Sequence, residues 1–347
     1  MNPQSLSGAR HQAPEQGSTR LPNVVIFSFG SSFCDPGQAD VNLADYYGGT
    51  LGLYDCTAAV REMRKYATIR GMQVACIPGA DITDTHVLDL LLNADEALRQ
   101  PDISGIVITA GMDILEEVAW FLDLCLRTGK PVIVTGATRP PSALSCDGSQ
   151  NLLNAVRLAI DRRSARKGVL VVLDGTIHAA RDVLMTSSCG TAAFQSPLTG
   201  ALGFIAGGEP FFCRVPARDN TSGTGFPPGT IRSLPCVEIL YACTCQDRVT
   251  VDALLGTGAA GIVVAGMGDG SIPEMVRTAL AEASHLGVCV VISSRNSCGM
   301  VSPRVGNTSW PFISADTLSP QKARILLRLA LAKTRSQDEI REMFSRY

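Results

Sequence analysis

The sequence predicts an α/β chain of two domains, each a largely parallel sheet flanked by helices, with the N-terminal domain the larger. Three observations point there. Apolar β-branched runs alternate with segments of helical periodicity through both halves of the 347 residues, the pattern of βαβ units. The stretch from Ser104 to Asp123 holds a strand, a glycine turn and a helix in immediate succession. Between residues 216 and 235 the composition shifts to Gly, Pro, Ser, Thr and Asn, as in a linker. The expected organisation is a tail over residues 1–20, a domain over 21–215, the linker over 216–235, and a second domain over 236–347.

The Ser104 to Asp123 stretch organises the first domain. Ile106, Val107 and Ile108 run without alternation, as in a parallel strand covered on both faces. Leu115, Val118, Leu122 and Cys125 then recur at helical spacing, and Asp113 with Glu116 has the form of a capping box. Met112 and Asp113 are therefore expected beyond the carboxyl end of a strand and at the positive end of a helix, where ligands bind in open α/β sheets.

In chain order, Asn23 to Phe29 reads as a strand turned by Gly30-Ser31-Ser32. Residues 34–52 read as a loop of the kind that forms lids. Leu53 to Arg70 reads as a helix, Met72 to Ile77 as a strand and Asp84 to Arg99 as a helix. Pro131 to Thr135 and Gly168 to Leu173 are strands around a helix from Gly148 to Arg163. Ile177 to Gly203 shows no sustained periodicity. Past the linker, strands are expected at Val237 to Cys243, Gly261 to Ala265 and Val288 to Ile292. Helices are expected at Thr250 to Leu255, Pro273 to Leu286, Pro320 to Thr334 and Gln337 to Tyr347.

Composition narrows the partners. A net charge of −2 with 18% charged residues and no basic cluster gives no electrostatic reason to expect nucleic acid or an anionic membrane. No apolar run approaches the roughly 18 residues of a spanning helix, and the first twenty residues lack the apolar core of a signal peptide. Several of the twelve cysteines lie in apolar segments, among them Cys76, Cys125 and Cys289, so a reducing cytoplasm is expected. Cys243 and Cys245 lack the second pair that a zinc site needs. No metal or other cofactor is expected.

Several blocks, in order, resemble the bacterial-type L-asparaginase and glutaminase family. Asp102 to Asp113 is similar to that family's DGIVITHGTDT segment. Gly136-Ala137-Thr138-Arg139-Pro140 and Asp147 to Arg157 are similar to its next block, and Ile177 to Val183 with Ala193 to Pro197 to the one after. Gly261 to Gly270 and Pro320 to Leu331 carry the likeness into the second domain. The resemblance implies a two-domain asparaginase-like fold and a homodimer, usually doubled to a tetramer, with active sites between subunits. It also implies hydrolysis of a small side-chain amide through a covalent acyl-enzyme without a cofactor.

In the family, a threonine after the first strand attacks and a loop tyrosine assists, while a second threonine with a lysine and an aspartate relays protons. A hydroxyl is a poor nucleophile until a neighbour takes its proton. By resemblance, Ser32 stands for the first threonine, and Tyr46 or Tyr47 for the tyrosine, Tyr46 fitting the spacing better. Asp113 keeps the aspartate, but Met112 replaces the second threonine and Met185 the lysine. The family's substrate-carboxylate segment, Gly-Ser-Gln-Asp, reads Pro78-Gly79-Ala80-Asp81, so both side-chain donors are missing. Ala110 replaces a histidine, and Ser271 stands for the asparagine that the partner subunit lends.

The paired change to methionine is physically coherent. A buried lysine left without its partner costs about 3–5 kcal/mol, whereas replacing both partners by apolar groups can be nearly neutral. A drier, more apolar pocket is expected, lined by Met112 and Met185 near Gly79, Ala80, Asp81 and Ser271. Each site residue also has a plainer reading. Asp113 can serve as a helix cap, alone or while holding a substrate amine, and Ser32 as a turn residue. Tyr46 reads equally as a packed loop aromatic, and His178 as a structural histidine. Cys34 and Cys189 are read as small buried filler in preference to reactive thiols. Three functions follow: an amidohydrolase using Ser32 on a substrate other than free L-asparagine, a binding protein without hydrolase activity, or another reaction such as dehydration or acyl transfer.

Overall fold

The computed structural model describes residues 21–30, 61–141, 143–302 and 310–347. Five strands form the parallel part of the larger sheet: β1 (Asn23–Phe29), β2 (Thr68–Ala75), β3 (Ile103–Ala110), β4 (Val132–Thr135) and β5 (Val169–Leu173). Their order across the sheet is β2-β1-β3-β4-β5, extended beyond β5 by β6 (Thr176–Ala179), β9 (Gly203–Ala206) and β10 (Glu209–Phe212). The chain runs from β1 to one neighbour and returns to β3 on the other side. Such a reversal opens a crevice between the carboxyl ends of β1 and β3.

The helices α1 (Asp84–Arg99), α2 (Leu115–Cys125) and α3 (Gly148–Ile160) pack on this sheet. All of β1, β4 and β5 is buried, which explains why their apolar residues follow one another without alternation. On one face, α1 and α2 pack with Phe27, Ile106 and Ile108; on the other, Leu152 and Val156 of α3 pack with Ile26 and Val107.

Three parts of the larger domain depart from expectation. Helical structure at residues 61–63 has ended well before Arg70, and β2 begins at Thr68. The strand expected over Met72 to Ile77 thus starts four residues earlier; among the described residues it pairs only with β1, and as the sheet's edge strand it exposes Arg70, Met72 and Gln73, so no apolar run marks its start. The aperiodic region after Leu173 contains short strands. β6, β9 and β10 pair antiparallel, and β7 (Leu184–Met185) pairs with β8 (Phe194–Gln195) as a separate ribbon. Strands of two to four residues are too short for a period to be read. Arg162 and Arg163, expected to end the helix that begins at Gly148, belong instead to a separate 3-10 turn, Arg162–Ser164.

The smaller domain is a four-stranded parallel sheet of β11 (Val237–Tyr241), β12 (Gly261–Gly266), β13 (Cys289–Ser294) and β14 (Ile313–Ser314), in that order. Its helices are α4 (Val249–Gly256), α5 (Glu274–His285), α6 (Pro320–Lys333) and α7 (Gln337–Arg346). Leu326, Leu327 and Ala330 of α6 belong to the same core as α2. Trp120, fully buried, donates from Nε1 to the Lys322 carbonyl at 3.1 Å, joining the two domains. Between β10 and β11 the chain has neither helix nor strand.

Candidate active site

The crevice at the sheet's point of reversal is built from backbone at close quarters. Gly30, with a φ of +84°, turns the chain out of β1, and its N–H donates to the Ala75 carbonyl at 3.0 Å. The N–H of Gly111 donates to the Phe29 carbonyl at 3.3 Å, and a Cβ on Gly30 would stand 3.3 Å from the Gly111 nitrogen. The exits of β1, β2 and β3 thus converge, with glycine where a side chain would separate them. Ser32 lies two residues beyond Gly30 and, with Cys34, Tyr46 and Tyr47, falls outside the described residues.

Asp113 does not cap the helix. The Ile114 N–H bonds to the Gly111 carbonyl at 3.1 Å, so Met112, Asp113 and Ile114 form a turn and α2 starts only at Leu115. No side chain caps this helix. The exposed Asp113 carboxylate instead lies against Gly79 and Gly111. Gly79 to Asp81 form a single 3-10 turn after β2, with Gly79 buried and Ala80 and Asp81 exposed. Met112 is half-buried, and its Sδ lies against Gly136 at the end of β4.

Met185 stands in β7, and its N–H donates to Oε2 of Glu116 at 3.1 Å. Its backbone is thereby fixed to the first turn of the helix that Met112 precedes. Its side chain is 37% exposed in the protomer, so the dry surround expected for it is not present there. A two-residue ribbon has no second layer to cover it. Ser271 is exposed in the other domain, forms an antiparallel bridge with Met267 after β12, and has no hydrogen bond to the cluster around Asp113.

His178 is buried with Nδ1 2.9 Å from Ser196 Oγ, and its Nε2 has no hydrogen-bond partner among the described residues. Burial, with Lys322 adding to it, pushes its pKa down to about 4. A neutral, packed imidazole fits the structural reading. Cys189 is exposed beside Ser187, not buried filler, because the turn after β7 carries it into solvent. Among the described residues no three or more His, Cys, Asp or Glu gather as a metal site, and Cys243 and Cys245 are both exposed.

Sequence reasoning missed the buried charges behind the cleft. Lys322 in α6 is fully buried, and its Nζ donates to the carbonyls of Ala180 and Arg181 at 2.8 and 2.9 Å and to that of Val183. Burial pushes it down to about 8. It secures the segment leading into β7, and hence Met185. Asp123 is buried, accepts the Val169 N–H at 2.7 Å, and is pushed up to about 7 by burial. A signal for Lys322 existed: it lies four residues before Leu326, on the apolar stripe of α6.

The asparaginase N-terminal domain model matches residues 36–218, and the glutaminase/asparaginase C-terminal domain model matches residues 236–344. The chain belongs to the asparaginase family. Among family members, the glutaminase-asparaginase of Pseudomonas fluorescens biotype A is 39% identical over 340 residues, covering 97% of this chain and 94% of that protein. L-asparaginase 2 of Escherichia coli K12 is 37% identical over 329 residues, covering 94% of each. The solved structure of a probable cytoplasmic L-asparaginase from Campylobacter jejuni superposes with a TM-score of 0.90 at 37% identity, covering 94% of this chain and all of that one. Among the described residues, no helix of this asparaginase-family chain is long and apolar enough to cross a membrane.

Proposed function

We propose that this chain is an asparaginase-family amidohydrolase that uses Ser32 as its nucleophile on a small amide other than free L-asparagine. The observation that carries the reading is the crevice at the reversal of strand order, where Gly30 and Gly111 bring β1 and β3 together beside Asp113. Ser32 Oγ would attack the amide carbonyl, the C–N bond would break, and ammonia would leave with the serine proton passed through Tyr46. Water would then hydrolyse the ester. By resemblance Met112 and Met185 replace the threonine and lysine that relay protons for the family's ordinary substrates, which supports an altered substrate.

Ammonia release from a panel of amides and lactams tests this with wild type and Ser32→Ala. Turnover by wild type alone supports the reading; equal rates for the two remove Ser32 from the mechanism.

A second reading is an asparaginase-fold protein that binds a small molecule without hydrolysing it. The observation favouring it is the half-buried thioether of Met112 against Gly136, which neither accepts nor donates a catalytic proton. A ligand-induced thermal shift without ammonia release would support it.

The site is proposed to be completed in a homodimer or homotetramer. Support comes from Ser271, exposed and unconnected to Asp113 within one protomer, and light scattering tests the assembly. A cytoplasmic location is proposed from Cys125 and Cys289, which are buried in apolar segments as small hydrophobes, and cell fractionation tests it.

A further inference from the structure

An ideal Cβ on Gly79 would stand 2.3 Å from Oδ1 of Asp113 and 2.6 Å from its Cγ and Oδ2. The Asp113 carboxylate therefore occupies the volume that any side chain at position 79 would need. Gly111 clears the other side, since a Cβ there would stand 2.8 Å from the same Oδ1. Two glycines, one after β2 and one after β3, form a cradle for a single carboxylate at the mouth of the crevice.

That carboxylate has no direct partner among the described side chains. Among the described residues no side chain donates a hydrogen bond to Asp113 and no cation pairs with it. Glu117, in the first turn of α2 and pushed up chiefly by burial, also feels it as a like charge. Ala80 offers only a methyl group and Asp81 a second carboxylate. The segment that the resemblance assigns to a substrate's α-carboxylate thus presents an anion where a hydroxyl donor would stand.

We propose that Gly79 and Asp113 make this site select ω-amides that carry an ammonium group and no free α-carboxylate, the carboxylate being absent or masked as an amide. The proposal rests on the amidohydrolase reading and names its substrate class. An α-carboxylate set on Gly79 would face Asp113 as a like charge, which is a basis for rejection. An ammonium in the same place gains Asp113 as its acceptor.

The test compares 3-aminopropanamide, L-asparaginamide and L-asparagine at neutral pH, by thermal shift and by ammonia release. Wild type, Ser32→Ala, Asp113→Asn and Gly79→Ala are each assayed. The expected result is that one or both carboxylate-free amides bind roughly a hundredfold better than L-asparagine. Whichever of the two binds tells an absent carboxylate from a masked one. Asp113→Asn, close in shape to the native residue, should erase most of that gap, and Gly79→Ala, which displaces the carboxylate, should narrow it. L-asparagine binding as well as the others, a gap unchanged in Asp113→Asn, or no binding by any of the three overturns the proposal. If the binding order holds but nothing is hydrolysed, the amidohydrolase reading fails and the selectivity stands. If L-asparagine is hydrolysed best and only when Ser32 is present, the selectivity fails and the hydrolase reading stands.

Discussion

The backbone N–H of Met185 donates to Oε2 of Glu116 at 3.1 Å, while Oε1 of the same carboxylate accepts from Gln321 Nε2 at 2.7 Å. Glu116 is only 7% exposed. One buried anion at the positive end of α2 therefore ties the β7 ribbon of the larger domain to α6 of the smaller. Glu116→Ala removes both bonds and leaves two donors and the nearby Lys322 less well satisfied. A loss of about 2–4 kcal/mol is expected, read from the urea midpoint, with faster amide exchange at Met185. An unchanged midpoint would show that the ribbon is held by something else.

Acid and neutral stability should reflect two buried groups pulling in opposite directions. His178, held down to about 4 by burial and by Lys322, titrates near 6.5 when exposed. Between those values the unfolded chain binds the extra proton, so this group makes stability rise with pH. Asp123, raised from 3.8 to about 7 by burial, keeps a proton in the folded chain that the unfolded chain has lost. Over that range it makes stability fall as pH rises. Urea midpoints from pH 4 to 7 should therefore vary less for wild type than for either variant. His178→Asn should slope downward with rising pH and Asp123→Asn upward; slopes of the same sign in both would contradict the assignment.

What the sequence made legible is what repeats locally. The Ile106-Val107-Ile108 run and the Leu115, Val118, Leu122, Cys125 stripe mark β3 and α2 because both are buried at a regular period. The start of the edge strand β2, expected only from Met72, and the short strands β6, β9 and β10 escaped notice because they are too exposed or too short for a pattern to form. Asp113 had the spacing of a cap, but a turn of two further residues placed its carboxylate on Gly79. That contact depends on β2 and β3 flanking β1, a pairing no local window contains. Glu116 was read only as a capping partner, and Lys322 was passed over, because a charged residue is ordinarily read as solvated, yet each lies on the buried face of its helix.

Gly136 is a sensitive point of the same site. A Cβ there would stand 2.8 Å from Met112 Sδ, 2.9 Å from the Ala110 carbonyl oxygen and 3.0 Å from Leu115 Cδ1. Sulfur and methyl can move, but the carbonyl belongs to the end of β3. Gly136→Ala is expected to cost about 1–3 kcal/mol. Adding Met112→Ala should recover part of the loss and not all, because the Ala110 oxygen remains. A double-mutant cycle measures this coupling, and strict additivity would mean that the thioether does not pack on Gly136 in solution.

Restoring polar groups to positions 112 and 185 examines whether the two methionines act as a unit. Met185→Lys places an ammonium on a side chain already 37% exposed, so it should cost little stability. Alone it lacks a hydroxyl to deprotonate. Met112→Thr supplies the hydroxyl but leaves a gap beside Gly136 and no base. Members of a proton-handling unit have strongly non-additive effects. The double variant should therefore raise ammonia release from the best wild-type amide by about tenfold or more over the product of the single effects. A double effect equal to that product would mean the side chains at 112 and 185 never share a proton path, and that the cleft handles its amide by another route.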